Sequence, residues 1–279
     1  MTTDKKTWFI TGTSSGFGKH VTELLLKRGD RVAATLRKPE QLDDLAAKYG
    51  DQLWRAKLDV TDTNAVRVVM EKAFNELGKI DVVLSNAGQN AIGAAEEFTD
   101  EQVLEILNTN LIASIQVARA AIPHLRNQGG GRLLQISSFG GQFGIAGISV
   151  YCSSKWGIEG FYESLQTEVS PFGIGVTLIE PGTNNTNMPK NGKLAPAISD
   201  YENTPVAQMR GYAGQTWPEY PSDVMKTAQA IIDCADMNPA PMRLTLGPDS
   251  YTYIHAALEK RLGELEANKT ITLSTAPGK

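Results

Sequence analysis

Cysteine is scarce in this sequence: the chain has two in 279 residues, Cys152 and Cys234. Both fall in segments of helical character, without the spacing or extra partners of a metal site, so reduced thiols and no zinc are expected. Long apolar runs are missing as well. After Met1 to Lys6 the chain reaches only "TWFIT" before glycines begin, which resembles neither a signal peptide nor a membrane span, and a cytoplasmic location is the expectation. Charge of one sign is absent too. The 27 Lys and Arg against 31 Asp and Glu leave a formal charge of -4, spread without a basic block, which argues against a nucleic-acid or anionic-membrane surface and for a small-molecule partner. There is no low-complexity tract, no Pro/Gly-rich linker and no period of solenoid length. The economical reading is one domain over 1–279, a length that α/β folds reach as single domains.

What the chain does have is alternation. Short β-branched apolar runs recur at 8–12, 31–35, 53–60, 81–88, 131–138, 175–182 and 242–247. Helically spaced segments lie between them, among them 19–27, 65–74, 101–125 and 153–169. Strand alternating with helix implies a doubly wound parallel sheet of the Rossmann kind, covered by helices on both faces, with its chemistry at the carboxyl ends of the strands. One stretch breaks the rhythm. From about 183 to 221 the chain is rich in Pro, Gly and Asn yet carries Met188, Tyr201, Met209, Tyr212, Trp217 and Tyr220. A loop of that length is expected to be a lid over an apolar pocket. The final amphipathic stretch, about 251–267, is expected as a helix that covers the pocket, packs on the body or meets a second subunit.

After the first strand comes "TGTSSGFGKH", with Gly12, Gly16 and Gly18 leading into a helix. Glycines there permit a sharp turn and close approach to a pyrophosphate, which then sits on the amides and positive dipole end of the helix. Ser14 offers a further hydrogen bond to phosphate. The second strand ends "AATLRKPE": Thr35 and Leu36 stand where an acid would accept the ribose 2′-hydroxyl, and Arg37 and Lys38 follow. Two cations and no carboxylate favour NADP(H) over NAD(H).

With "NAG" after strand four, "ISS" after strand five, "YCSSK" and then "EPG" after strand six, all in order, the chain resembles the short-chain dehydrogenase/reductase family over nearly its whole length. The resemblance implies a doubly wound sheet of about seven strands, a nicotinamide cofactor, and hydride transfer between that cofactor and an alcohol or carbonyl carbon. It places the cofactor contacts on Gly12, Ser14, Gly16, Phe17, Gly18, Arg37, Lys38, Asp59, Val60, Asn86, Ala87, Gly88, Pro181, Gly182, Thr183 and Thr186. "LDVTD" reads equally as helix capping by Asp59 or Thr61.

The same resemblance puts the general acid/base on Tyr151. On a helix beginning near Val150, Tyr151 and Lys155 stand at i and i+4 and share a face. Reducing a ketone leaves an alkoxide that needs a proton donor, and a neighbouring ammonium is expected to lower the phenol's pKa towards its working range. Lys155 is also expected to bond the nicotinamide ribose. Ser138 matches the family's serine, with Ser137 as competitor, because strand alternation sends neighbours to opposite faces. Asn110 matches the asparagine that holds a relay water, with Asn108 as fallback.

Phe139, Phe143 and Trp156 are candidate pocket walls. Lys190, Lys193 and Arg210 keep open an anionic substrate group. The functional expectation is an NADP(H)-dependent carbonyl reductase or alcohol dehydrogenase acting on a hydrophobic ketone, aldehyde or secondary alcohol; the alternative is a non-catalytic NADP(H)-sensing regulator on the same fold. Pairing through the long helices at 101–125 and 150–170 would make a dimer or tetramer.

Overall fold

The computed structural model describes residues 5–186, 192–212 and 220–277. Its main sheet comprises β1 (Thr7–Thr11), β2 (Arg31–Leu36), β3 (Leu53–Lys57), β4 (Val82–Ser85), β6 (Gly131–Ile136), β7 (Ile174–Pro181) and β9 (Arg243–Leu246). The strands are parallel throughout, in the order β3-β2-β1-β4-β6-β7-β9. After β3 the chain returns to the other side of β1, so the strand order reverses between β1 and β4 and opens a crevice at their carboxyl ends. The helices between these strands are α1 (Gly16–Arg28), α2 (Asp43–Tyr49), α3 (Thr63–Leu77), α4 (Asp100–Leu107), α5 (Ala113–Asn127), α6 (Ser149–Val169) and α8 (Val224–Cys234).

Period-two alternation along the strands sorts the interior into two cores. Phe9, Val83, Leu133 and Val176 face α3, α5 and α6, where Met70, Ala121, Ile158 and Tyr162 meet them. Trp8, Ile10, Leu84 and Leu134 face the opposite way, onto Val21, Leu25 and Leu26 of α1 and Ile231 of α8. Each such fully buried apolar side chain contributes about 1.5–3 kcal/mol.

The expected strands are all present, but several end early. The 53–60 run stops at Lys57, the 81–88 run at Ser85 and the 131–138 run at Ile136. The reason for the second is visible: the Asn86 and Ala87 amides turn onto the Thr11 hydroxyl, at 2.9 and 3.1 Å, instead of continuing the ladder. The expected continuous helix over 101–125 is also interrupted. A π-helical turn, Asn108–Ile112, separates α4 from α5, a feature that recurs at functional sites.

The cap of α3 differs from both candidates. Asp62 is the capping residue, its Oδ1 accepting from the Ala65 amide at 2.9 Å. Asp59 instead closes a local turn, accepting the Thr61 amide and hydroxyl at 3.0 and 2.7 Å. Asp62→Ala is expected to destabilise the protein by about 1 kcal/mol, read as a lowered urea midpoint with unchanged slope.

Of the 183–221 segment, Met188, Lys190 and Trp217 lie outside the described residues. The described parts contain β8 (Lys193–Leu194), paired with β5 (Ala91–Ile92) in a two-stranded sheet, and α7 (Pro205–Tyr212). A single bridge, Asn184 to Ser222, brings the two ends of the segment together. The buried Glu97 carboxylate fastens its middle: Glu97 accepts from the Ile198 amide at 2.8 Å and pairs with Arg210, which also donates to the Ala195 carbonyl at 2.7 Å.

The expected C-terminal helix is α9 (Pro248–Ala267), followed by α10 (Lys269–Ser274). Within α9 only Ser250 and Ile254 are buried, while Leu258, Leu262 and Leu265 are exposed. Among the described residues no helix is long and apolar enough to cross a membrane.

Candidate active site

A cavity of about 850 Å³ runs along the carboxyl ends of the strands. One end is the turn between β1 and α1. Gly12 adopts a φ of +72°, in the left-handed region, and a Cβ on it would sit 2.9 Å from Ala87 Cα. Gly18 is closed in equally: a Cβ there would overlap the Gly12 carbonyl oxygen and stand 2.5 Å from Asn86 Nδ2. That amide in turn donates to the Thr11 and Gly12 carbonyls at 2.9 and 3.1 Å, tying the ends of β1 and β4 together. Ser15, the N-cap residue of α1, makes no side-chain capping bond, and the first turn holds no acid. The first-turn amides and the positive end of the helix dipole are therefore left for an anion. A glycine cradle at a helix N-terminus fits the pyrophosphate of a dinucleotide.

Of the residues expected to contact a cofactor, Gly12, Ser14, Gly16, Phe17, Arg37, Asp59, Val60, Asn86, Ala87, Gly88, Pro181, Gly182, Thr183 and Thr186 line the cavity. Gly18 lies behind the wall as packing. Lys38 does not reach the cavity lining, in which Arg37 alone represents that pair of cations. Asp59 stands close to it: its pKa is lowered by the Thr61 hydrogen bonds and, to a smaller extent, by the Arg37 charge.

At the other end, α6 begins at Ser149 and sets Tyr151 and Lys155 one turn apart on a buried face. The phenol and Ser138 border the cavity together. Both serines after β6 border the cavity, and their hydroxyls diverge as alternation requires, although the strand itself ends at Ile136. Ser138 turns to Tyr151 and also accepts the Gly140 amide at 3.1 Å, whereas Ser137 turns away to the Glu159 carboxylate. Lys155 Nζ lies 5.7 Å from the Tyr151 ring centroid and donates to the Ile136 carbonyl at 3.0 Å.

The titration of this pair departs from the expectation of a lowered phenol pKa. Burial pushes Tyr151 up to about 12, with the Ser138 bond pulling the other way. Burial likewise brings Lys155 down to about 8, opposed by the charge of Glu159. Desolvation disfavours both charged forms and is the largest cause at each.

Asn110 sits in the π-helical turn and is buried. Its Oδ1 accepts the Gln89 amide at 2.9 Å, and its Nδ2 donates to the Gln89 carbonyl at 2.9 Å and to Ser154 Oγ at 3.0 Å. Gly88 passes beside it: a Cβ there would be 3.4 Å from Asn110 Oδ1 and 4.0 Å from Lys155 Nζ. Asn110, Gly88 and Lys155 thus converge.

The remaining wall is apolar and aromatic. Phe139 and Phe143 meet edge to face at 5.4 Å, and Tyr253 of α9 closes the group at 6.2 and 5.8 Å. Met209, Tyr212 and Tyr220 line the cavity from the 183–221 segment. Trp156 does not line it, standing exposed on α6 beneath the Arg261 guanidinium. Tyr201 bonds Glu96 instead, at 2.6 Å. Lys193 and Arg210 are paired with Glu105 and Glu97, so neither awaits an anionic substrate. Sequence pattern passed over Ile145, Ile148 and Tyr253; the two isoleucines had no periodicity to mark them, and Tyr253 was one apolar position among many in an amphipathic helix.

A doubly wound sheet with a glycine cradle at the switch point and a Ser–Tyr–Lys group beside it defines an α/β dinucleotide-type oxidoreductase fold. A family model described as short chain dehydrogenase matches residues 6–195, and the chain belongs to that family of oxidoreductases acting on CH–OH and C=O groups. It is similar to "Oxidoreductase BOA17" of Botryotinia fuckeliana, 36% identical over 273 residues that cover 97% of this chain and 99% of the relative. It is similar also to a 3-ketodihydrosphingosine reductase of Bacteroides thetaiotaomicron, 37% identical over 186 residues, 67% of this chain and 66% of the relative. Among solved structures, a short-chain dehydrogenase from Streptomyces avermitilis superposes with a TM-score of 0.90 at 34% identity, covering 98% of this chain and 100% of that one.

Proposed function

We propose that the protein is an NADP(H)-dependent carbonyl reductase acting on a hydrophobic ketone or aldehyde. The observation that carries this reading is the buried Tyr151 phenol, which stands with Ser138 at the wall of an apolar cavity that continues into a glycine turn fit for phosphate. When bound, the nicotinamide supplies or accepts the hydride. The residues of the chain do the rest. Ser138 orients the carbonyl oxygen of the substrate by hydrogen bonding. Tyr151, held as the protonated phenol at neutral pH by its burial, gives its proton to that oxygen as negative charge develops there. Lys155 contributes a buried positive charge beside the phenol, and Asn110, held by the Gln89 backbone, is the residue that would hold a water relaying protons from Lys155 to solvent.

Support for NADP(H) comes from Arg37 at the cavity wall, with Thr35 and Leu36 where an acid would otherwise stand. Arg37→Ala is expected to lower kcat/KM for NADPH about 10- to 100-fold, the worth of a hydrogen bond to a charged group, while changing that for NADH little. Steady-state kinetics with both cofactors on an aryl ketone panel test the reading and the variant together. An equal loss with both cofactors would remove the case for a 2′-phosphate contact. Phe139, Phe143, Tyr253 and Met209 support an apolar substrate, since such side chains line small-molecule sites and Met adapts to irregular shapes. The name of one relative, a 3-ketodihydrosphingosine reductase, is in keeping with a ketone substrate. In this reading the 183–221 segment acts as the substrate lid, fastened at Glu97.

A further inference from the structure

Behind the catalytic group lies a second buried polar cluster that the proposed proton transfer does not use. Glu159 follows Lys155 by one turn of α6, so Tyr151, Lys155 and Glu159 form one stripe at i, i+4 and i+8. One oxygen of Glu159 accepts the Ser137 hydroxyl. The other accepts Gln142 Nε2 and Arg243 Nε, each at 3.0 Å. A second buried carboxylate, Glu180 of β7, takes the same Gln142 amide at 2.7 Å and Thr245 Oγ1 at 2.8 Å.

The charges around Glu159 can be named element by element. From α6 come Lys155 and the exposed Glu163, from β7 Glu180, from β9 Arg243, and from α9 Arg261, which reaches the cluster through Gln142 Oε1 at 3.3 Å. Arg243 is shared among three carboxylates, at 3.0 Å to Glu159, 2.5 Å to Glu163 and 3.4 Å to Glu180. One guanidinium does not neutralise two buried carboxylates and a third at the surface. Such a pair retains a proton to a higher pH than an isolated carboxylate does.

We propose that Glu159 is a positioning residue for the reaction: its carboxyl group anchors the Ser137–Ser138 corner, and its charge sustains the ammonium of Lys155, so that the Glu159–Glu180 pair sets the pH range over which Lys155 stays charged. The inference rests on the carbonyl-reductase reading for its link to turnover, and on the hydrogen bonds above for its geometry. Titration agrees in direction: burial, with the charge of Glu180 adding to it, raises Glu159 to about 7, against the lowering effect of Ser137 and Arg243. The sign follows. Below that pH Glu159 is neutral and supports Lys155 little; above it the carboxylate forms and holds the lysine's proton on, delaying its loss as the pH rises further.

The test titrates the whole protein, wild type against Glu159→Gln, Glu180→Gln and Glu163→Gln. Three readouts are followed: the infrared C=O stretch of protonated carboxyls, the ¹⁵Nζ NMR signal of Lys155, and kcat/KM for carbonyl reduction with NADPH. The wild type should show a carboxyl band that disappears near neutral pH. That band should be absent in Glu159→Gln, displaced to lower pH in Glu180→Gln and unchanged in Glu163→Gln. In Glu159→Gln the Lys155 titration and the alkaline limb of kcat/KM should both move to lower pH by about half to one unit.

A band that survives in Glu159→Gln, or a Lys155 titration identical in wild type and Glu159→Gln, overturns the proposal. Should Glu159→Gln fail to fold, Glu180→Gln decides: a displaced band supports the coupled pair and an unmoved band refutes it. Absence of turnover in the wild type would defeat the carbonyl-reductase reading instead, and the infrared and NMR titrations would still decide the role of Glu159.

Discussion

Tyr151→Phe is expected to lower kcat for carbonyl reduction by about 10²- to 10⁴-fold, the usual worth of a positioned acid or base. Binding of NADPH should remain within a few-fold of wild type. The substitution removes one oxygen and leaves the ring, so the packing of α6 against its surroundings is preserved. What it removes is the hydroxyl that stands beside Ser138 in the cavity wall. Burial keeps that phenol protonated at neutral pH, the form that a reduction consumes; the reverse reaction must first take the proton away. Single-turnover absorbance of NADPH measures the loss directly, and cofactor fluorescence measures the binding. A variant with more than a tenth of wild-type turnover would assign the proton to another group and would falsify the role of the phenol.

The second large effect belongs to the other end of the cavity. Gly18→Ala introduces a Cβ where the Gly12 carbonyl and the Asn86 amide already stand, the latter at 2.5 Å. Both neighbours are fixed: the Gly12 amide donates to the Thr35 carbonyl at 2.9 Å, and Asn86 bridges β1 to β4. The added methyl must therefore push the turn outward, at a stability cost of about 1–3 kcal/mol. Displacing the amides that would cradle a pyrophosphate should weaken NADPH binding by at least about tenfold, or about 1.4 kcal/mol. Thermal unfolding with and without NADPH separates the two consequences. Wild-type affinity in a destabilised Gly18→Ala variant would mean that the turn does not hold the phosphates.

Much of this architecture was legible because its signals are local. Apolar runs of strand length and i, i+4 helix faces are written in adjacent residues, and the glycine positions follow from close approaches that only a missing side chain permits. The divergence of the two serines was legible for the same reason: adjacent residues leaving a strand point opposite ways, and Ser137 and Ser138 do. What was illegible depends on partners distant in sequence. Asp62 capping α3 instead of Asp59 turns on where β3 stops, and β3 stops where its neighbour in the sheet does. The π-helical turn holds Asn110, whose amide side chain bonds Gln89, more than twenty positions earlier. Burial governs the titration of Tyr151 and Lys155, and a sequence carries no measure of the dielectric around a side chain. The Glu159–Glu180 cluster was invisible for the same cause, since its members come from α6, β7 and β9 and from the loop carrying Gln142.

Tyr253 illustrates a division of labour along the polypeptide. The matched family region ends at residue 195, and every member of the proposed proton-transfer group lies before that point. Met209 and Tyr253, which face the same cavity from the far side, lie after it. The apolar wall is thereby assembled from both sides of that boundary, Phe139 and Phe143 from within the matched region and Met209 and Tyr253 from beyond it.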